Sequence, residues 1–207
     1  ISEACAENVY YILDQEKLKK TMISEMKPTA ADYIYMGILH DTGCLSRAKM
    51  STMQAVTGLL ELGVEHSYVM QTMHNDTLES LQMRAGLLER AERLLDGKIA
   101  CVCVSRAESE EEGIGYEDIH PISGILRDCE DIELGFTMYE EEENRWRCSF
   151  RSDGKWINVN ELLKKFGGGG HAAAAGVRKR TNNMEKFRQD ILEEIIMMRK
   201  SIEKEQA

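Results

Sequence analysis

Apolar residues recur at helical spacing through the first third of the chain, and this pattern predicts a run of helices there. Residues 3–13 read as a first helix, and residues 30–39 as a strongly apolar one that begins after the break at Pro28. Residues 51–54 have a capping-box pattern, which predicts the start of a helix that ends at Gly63.

A different pattern follows. Residues 77–96 carry leucines at helical spacing and predict one long helix that ends at Gly97. Residues 99–104 form a continuous apolar run, which is typical of a strand buried on both faces. Residues 131–139 alternate between apolar and polar positions, as a half-buried strand does. The succession of helices and strands predicts an α/β fold with a mixed sheet.

The strand predicted at residues 145–151 divides its side chains between two faces. One face is apolar: Trp146, Cys148 and Phe150. The other is polar: Arg145, Arg147, Ser149 and Arg151. Such a polar face usually does no more than meet solvent. Three arginines on one strand can also bind phosphate through paired hydrogen bonds, so both interpretations stay open.

Composition and charge restrict the function. The chain has 207 residues and a formal net charge of −10, so a broad surface that coats nucleic acid is not expected. A phosphate site would have to be a local basic pocket. The six cysteines form no Cys-x-x-Cys pair, which argues against zinc and favours reduced thiols in a cytoplasmic protein. No apolar run predicts a membrane span, and no membrane partner is expected.

A glycine-rich run at residues 166–176 is the most distinctive stretch of the chain. Gly168, Gly169 and Gly170 precede His171, and backbone N–H groups of such a run can converge on an anion while the histidine adds a donor. A flexible linker is the competing interpretation. An amphipathic segment at residues 159–166 runs directly into the glycines and favours an ordered loop. A nucleotide P-loop is disfavoured because no Lys-Ser or Lys-Thr follows.

Asp41 is the candidate metal ligand. It follows the apolar helix at residues 30–39 and precedes Thr42 and Gly43. A carboxylate on such a turn can bind a divalent metal, and it can equally cap the next turn.

Three motifs resemble those of the DHH (Asp-His-His) phosphoesterases, a family that includes RecJ-like exonucleases. Residues 168–176 read Gly-Gly-Gly-His-x-x-Ala-Ala-Gly, similar to the signature of the DHH-associated C-terminal domain. Residues 147–152 are similar to its basic-x-Ser-x-Arg-Ser segment, and residues 37–43 to the fourth motif of the DHH domain. The resemblance implies that Asp41 binds metal in a two-manganese site. It also implies that Arg151, Ser149 and the glycine loop with His171 bind the substrate phosphate.

The resemblance implies three parts. Residues 1–74 would be the C-terminal part of a DHH domain, residues 75–97 a connecting helix, and residues 98–207 the DHH-associated domain. The first three family motifs, with most metal ligands, would lie before residue 1, so the fragment alone is expected to be inactive.

The function implied for the intact protein is hydrolysis of short oligonucleotides or of 3′-phosphoadenosine 5′-phosphate (pAp) with Mn²⁺. Two alternatives stay open: a cyclic-dinucleotide phosphodiesterase and a nucleotide-binding module without catalysis. A homodimer also stays open.

Overall fold

The computed structural model describes residues 4–13, 15–21, 27–74, 76–154 and 156–205. Its internal contacts divide the chain into two units, of which the first ends at Asp76 and the second begins at Thr77. Each unit has hydrophobic clusters of its own.

The described part of the first unit is helical. Its helices are α1 (Cys5–Ile12), α2 (Gln15–Thr21), α3 (Ala30–Thr42), α4 (Met50–Glu61) and α5 (His66–Met73). Helix α3 is the centre of this unit, with Ile38 and Leu39 fully buried. It begins with a capping box in which Asp32 N–H donates to Thr29 Oγ1 and Thr29 N–H donates to Asp32 Oδ2.

Two expectations for this unit need correction. Helix α4 begins at Met50, and Lys49 at its N-cap makes no side-chain cap bond, so residues 51–54 are not the predicted capping box. Thr52 is instead an interior residue of α4 whose buried hydroxyl donates to the Glu7 carboxylate at 2.8 Å. The apolar helix also continues past residue 39 to Thr42, which places Asp41 in its last turn.

The second unit is built on a sheet whose strands, among the described residues, follow the order β1-β2-β3-β4-β6-β5. The strands are β1 (Glu92–Leu94), β2 (Ile99–Val104), β3 (Leu134–Glu142), β4 (Arg145–Ser152), β5 (Gly169–His171) and β6 (Ala174–Arg180). The helices are α6 (Leu78–Glu89), α7 (Arg106–Glu112), α8 (Tyr116–Ile119), α9 (Ile122–Arg127), α10 (Val159–Lys164) and α11 (Met184–Glu205). Strands β2 and β3 are parallel and the other pairs antiparallel, which confirms the predicted α/β fold with a mixed sheet.

One face of the sheet is covered by α10 and α11. The rings of Phe136 and Phe150 stack there with centroids 4.8 Å apart, and both side chains are fully buried. Leu162 on α10 and Ile191 on α11 pack against this layer. This is the apolar face predicted for β4.

The opposite face is covered by helices over β2 and β3, where Val102 packs with Leu87 and Ile122. Helix α9 approaches β3 closely at Gly135. A Cβ atom at this position would lie only 2.8 Å from the backbone nitrogen of Arg127. The side chains of Arg147, Ser149 and Arg151 belong to this same face through the β3–β4 register.

The long helix predicted for residues 77–96 is wrong in its second half. Helix α6 ends at Glu89, and Glu92–Leu94 pair with β2 as an edge strand. The predicted leucine stripe fails too, since Leu78 is 71% exposed whereas Leu87 is buried. No helix of the described residues is both long and apolar enough to cross a membrane.

Candidate functional site

A cleft of about 350 Å³ lies on the partly uncovered face of the sheet, over strands β4, β6 and β5. It is lined by Tyr116, His120, Arg147, Cys148, Ser149, Arg151, Gly169, Ala174, Ala175, Gly176, Val177 and Arg178. Three of these are arginines in a chain of net charge −10, so the cleft is a local basic site on an acidic protein.

Strand register brings the predicted substrate-binding residues together. Ser149 pairs with Gly176, which pairs with Gly169, so these three positions form one row across the sheet. Directly paired residues of antiparallel strands share a face. Arg151 and His171 form the next row, because both pair with Ala174.

The rows differ in what they offer to a ligand. Ser149 is 9% exposed, and the glycines beside it leave the sheet surface without side chains. Arg151 is half-buried at the cleft, and its Nη1 donates to the carbonyl of Phe150 at 3.0 Å. His171 is exposed on the edge strand and is not among the residues that line the cleft.

Arg147 and Arg178 form a third row, at the end of the cleft near the β3–β4 hairpin. Both donate to Glu141, Arg147 Nη1 at 3.3 Å and Arg178 Nε at 3.1 Å. The Arg147 guanidinium also lies 3.6 Å from the centroid of the Tyr116 ring, a cation–π contact. Burial alone would raise the pKa of Glu141, but its bonds to Arg178 and Arg147 outweigh burial, and the pKa of this carboxyl is lowered.

The glycine run is a short strand rather than an open cradle. The N–H of Gly168 donates to the Leu163 carbonyl at 2.8 Å, and that of Gly170 donates to Asn160 Oδ1 at 3.1 Å. The predicted convergence of N–H groups on an anion is therefore wrong for these two residues. Their donors are already used to hold the strand against α10.

Two of the glycines are required by packing. A Cβ atom at Gly168 would lie 2.7 Å from Val177 Cβ, and one at Gly170 would lie 2.6 Å from Ala175 Cα. Gly169 differs, because its Cβ would meet only Asn160 Oδ1, at an ordinary 3.7 Å. Of Gly168, Gly169, Gly170 and His171, Gly169 is the one that lines the cleft, and the fold does not require its lack of a side chain.

Asp41 belongs to the first unit. It is in the last turn of α3, and its Oδ2 accepts the N–H of Cys5 at 3.3 Å, at the start of α1. A negative carboxylate at that position stabilises α1, because the N-terminus of a helix carries a partial positive charge. His40 Nδ1 lies 3.7 Å from Asp41 Oδ1. Within the described ranges, no group of three or more His, Cys, Asp or Glu side chains could hold a metal ion.

Sequence reasoning missed the wall of the cleft. Tyr116 begins α8 and His120 follows its last residue, and their ring centroids are 5.2 Å apart. They sit in the crossover between the parallel strands β2 and β3, and their approach to β4 follows from that crossover rather than from any local pattern. Asn160, which positions Gly170, was also missed. Its place in the first turn of α10, the helix that leads into the glycines, was the available signal.

Most of the second unit matches a known domain family. Residues 97–197 match the family model described as the DHHA1 domain. The chain is 26% identical over 175 residues to the "Bifunctional oligoribonuclease and PAP phosphatase NrnA" of Mycoplasma pneumoniae, covering 84% of this chain and 51% of that protein. The protein of the same name from Bacillus subtilis is 25% identical over 154 residues, covering 73% and 48%.

A solved structure has the same fold. It is an exopolyphosphatase-related protein from Bacteroides fragilis, 22% identical, with a TM-score of 0.71 and coverage of 83% of this chain and 51% of that one. The present chain therefore spans about half the length of each of these proteins.

Proposed function

We propose that this chain holds the substrate of a metal-dependent phosphoesterase. The premise is that the chain belongs to the DHH family of phosphoesterases and carries its DHHA1 domain at residues 97–197. The proposed substrate is a short oligonucleotide or pAp, bound by a phosphate group. The observation that carries the proposal is the register that aligns Arg151, Ser149 and Gly169 on one face of a basic cleft.

Each of these residues has a distinct part in holding the phosphate. Arg151 supplies a permanent positive charge with forked donors, which suits phosphate oxygens. The Ser149 hydroxyl can donate one more hydrogen bond. Gly169 lets the ligand approach the backbone of the edge strand, where a side chain would stand in its way.

His171 is proposed as a further donor at the rim. It shares the row of Arg151 through Ala174, and it is exposed enough to turn towards a ligand. A charged imidazole would add a charge-assisted bond to phosphate, and a neutral one would add a single ordinary bond.

A divalent metal completes the proposal, and Mn²⁺ is the ion that we propose. Bound metal would activate water and polarise the phosphoryl group. The described residues do not by themselves fit a two-metal site, because Asp41 stands with only His40 beside it and one of its oxygens accepts the Cys5 N–H. Asp41 stays a proposed ligand in the intact protein, and no step of hydrolysis is assigned to it. A cytoplasmic location and a homodimer stay predictions.

Calorimetric titration of this chain tests the phosphate assignment. The ligands are pAp and a 5′-phosphorylated diribonucleotide, with chelator present to prevent turnover, and a cyclic dinucleotide tests the alternative substrate. Arg151→Gln should weaken binding by about 1.5–3 kcal/mol and His171→Ala by about 1–3 kcal/mol, since each removes a bond to a charged group.

Arg145→Gln is the matched control. Arg145 is on the same strand and face as Arg151 but lies outside the cleft, where it pairs with Glu142 at 2.8 Å. The control should bind as the unmodified chain does. Unchanged affinity in Arg151→Gln would refute the assignment of this arginine to the phosphate.

A further inference from the structure

The cleft has two cationic ends, and the function proposed above uses only one of them. Arg151 stands at one end, and Arg147 with Arg178 stands at the other. Arg151 lies four positions after Arg147 along β4, a distance of roughly 14 Å at about 3.4 Å per residue.

The arginines of the second end lean away from the first end. Arg147 pairs in register with Tyr139, and Arg145 pairs with Glu142. Glu141 therefore lies on the hairpin side of Arg147. Since both Arg147 and Arg178 donate to Glu141, their guanidinium groups are drawn towards the hairpin and away from Ser149.

This second end keeps a positive charge. Two arginines share one carboxylate, so one unit of positive charge remains, and the Arg178 side chain is 55% exposed. Each guanidinium has five N–H donors. The two groups together offer more donors than one carboxylate can accept, so donors remain for an anion. The stack on the Tyr116 ring fixes the plane of Arg147, which favours forked binding of an anion.

The floor between the ends is small and polar. Ser149, Gly169 and Gly176 form the middle row, and neither glycine puts a side chain over the sheet. A nucleotide chain could cross this floor from one end to the other without displacing any large side chain.

We propose that Arg147 and Arg178 form a second phosphate subsite, so that the cleft takes a nucleotide chain with two separated phosphates. The proposal rests on the proposed function of the Arg151 end. A mononucleotide such as pAp carries its phosphates on one sugar and fills a single end. An oligonucleotide with a 5′-phosphate and further phosphodiesters reaches both ends.

The test compares ligands of different length on the whole chain, again with chelator present. The probes are pAp and 5′-phosphorylated oligoadenylates of two to four nucleotides. Arg178→Gln should weaken the oligoadenylates that reach the second end by about three- to tenfold, since one partly exposed charged contact is lost. Its effect on pAp should stay within about twofold.

Salt dependence gives an independent readout. Each phosphate neutralised on a single strand contributes about −0.7 to the slope of log K against log salt. The slope for the longer oligoadenylates should be steeper (more negative) than that for pAp, and Arg178→Gln should remove about one phosphate's share of the difference. Lys179→Gln is the control, because it removes the same charge one residue further along β6, on the opposite face.

The outcomes separate the two proposals. If Arg178→Gln weakens pAp and oligoadenylates equally, or weakens neither, the second subsite is wrong while the Arg151 end stands. If the unmodified chain binds neither pAp nor any oligoadenylate, the proposed function fails and the second subsite fails with it.

Discussion

Glu141 shows how one carboxylate can organise a cationic site. It accepts from Arg147 and from Arg178, and without it two guanidinium groups would face each other across neighbouring strands. Its carboxyl pKa is lowered by these bonds. A carboxyl whose pKa is lower in the folded than in the unfolded state stabilises the fold above its unfolded pKa, and this contribution is lost as pH falls through the folded pKa.

The first prediction follows from this sign. Glu141→Gln should lower the thermal midpoint at pH 7, because the stabilising charge is absent. The difference from the unmodified chain should begin to shrink as the pH falls below the ordinary glutamate pKa of about 4.3, where the unfolded chain takes up the proton, and it should be lost as the pH falls through the lowered pKa of the folded Glu141 carboxyl. Thermal unfolding followed by circular dichroism from pH 7 to pH 3 measures it.

Glu142→Gln serves as the control for that experiment. Glu142 is the next residue and pairs only with the partly exposed Arg145, at 2.8 Å. An exposed pair of this kind contributes little, so the control should change the midpoint less than Glu141→Gln does. A gap between Glu141→Gln and the unmodified chain that stays constant from pH 7 to pH 3 would contradict the role given to Glu141.

Residues of the cleft differ in how far the sequence alone reveals them. Arg151 and Ser149 were predicted because strand alternation places them on one face and because their segment resembles a family motif. Tyr116 could not be predicted to meet Arg147, since the contact joins positions 31 residues apart through a parallel crossover. Arg178 was visible in the sequence as local positive charge after the glycine run, but its pairing with Glu141 depends on the order of β3, β4 and β6.

At the scale of elements, the glycines at the edge of the sheet differ in what the fold requires of them. Gly168 and Gly170 are needed for close packing on β6, whereas Gly169 has room for a methyl group and lines the cleft. The packing requirement and the proposed binding role can therefore be tested separately within three consecutive residues.

The corresponding prediction compares two alanine variants. Gly170→Ala should destabilise the chain by about 1–3 kcal/mol, because its new methyl group would collide with Ala174 and Ala175. Gly169→Ala should leave unfolding nearly unchanged, because its methyl group meets only an ordinary contact, yet weaken pAp binding about tenfold, since Gly169 lines the cleft. Chemical denaturation and calorimetric titration of both variants distinguish these effects. Full affinity in a folded Gly169→Ala variant would show that the ligand does not approach this strand.

Elements that a local sequence pattern determines were predicted better than elements that form only by pairing with another strand. The buried strand β2 and the alternating strand β4 lie where the sequence placed them. The edge strand β1 was taken as helix, because Glu92–Leu94 become a strand only by pairing with residues 99–101. The glycine run likewise becomes a strand only beside β6, so its N–H groups could not be assigned from its composition.

At the scale of the whole chain, the cleft residues and the hydrophobic clusters follow the same boundary between the two units. Every residue that lines the cleft lies beyond Thr77. The two hydrophobic clusters around the sheet draw only on the second unit, and the cluster around α3 draws only on the first. The sequence predicted a connecting helix at residues 75–97 and a substrate-binding domain from residue 98. In the structure α6 is part of the second unit, where Leu87 packs with Val102.

The last prediction uses this division. A chain of residues 77–207 should fold by itself, because both clusters that enclose its sheet are complete within it. It should bind pAp within about twofold of the 207-residue chain, as all the cleft residues are retained. Circular dichroism with thermal unfolding tests the first statement, and titration tests the second, with Arg151→Gln in the shorter chain as the control. A shorter chain that unfolds cooperatively but has lost pAp binding would mean that the first unit contributes to phosphate recognition, and the site would then have to be extended beyond this sheet.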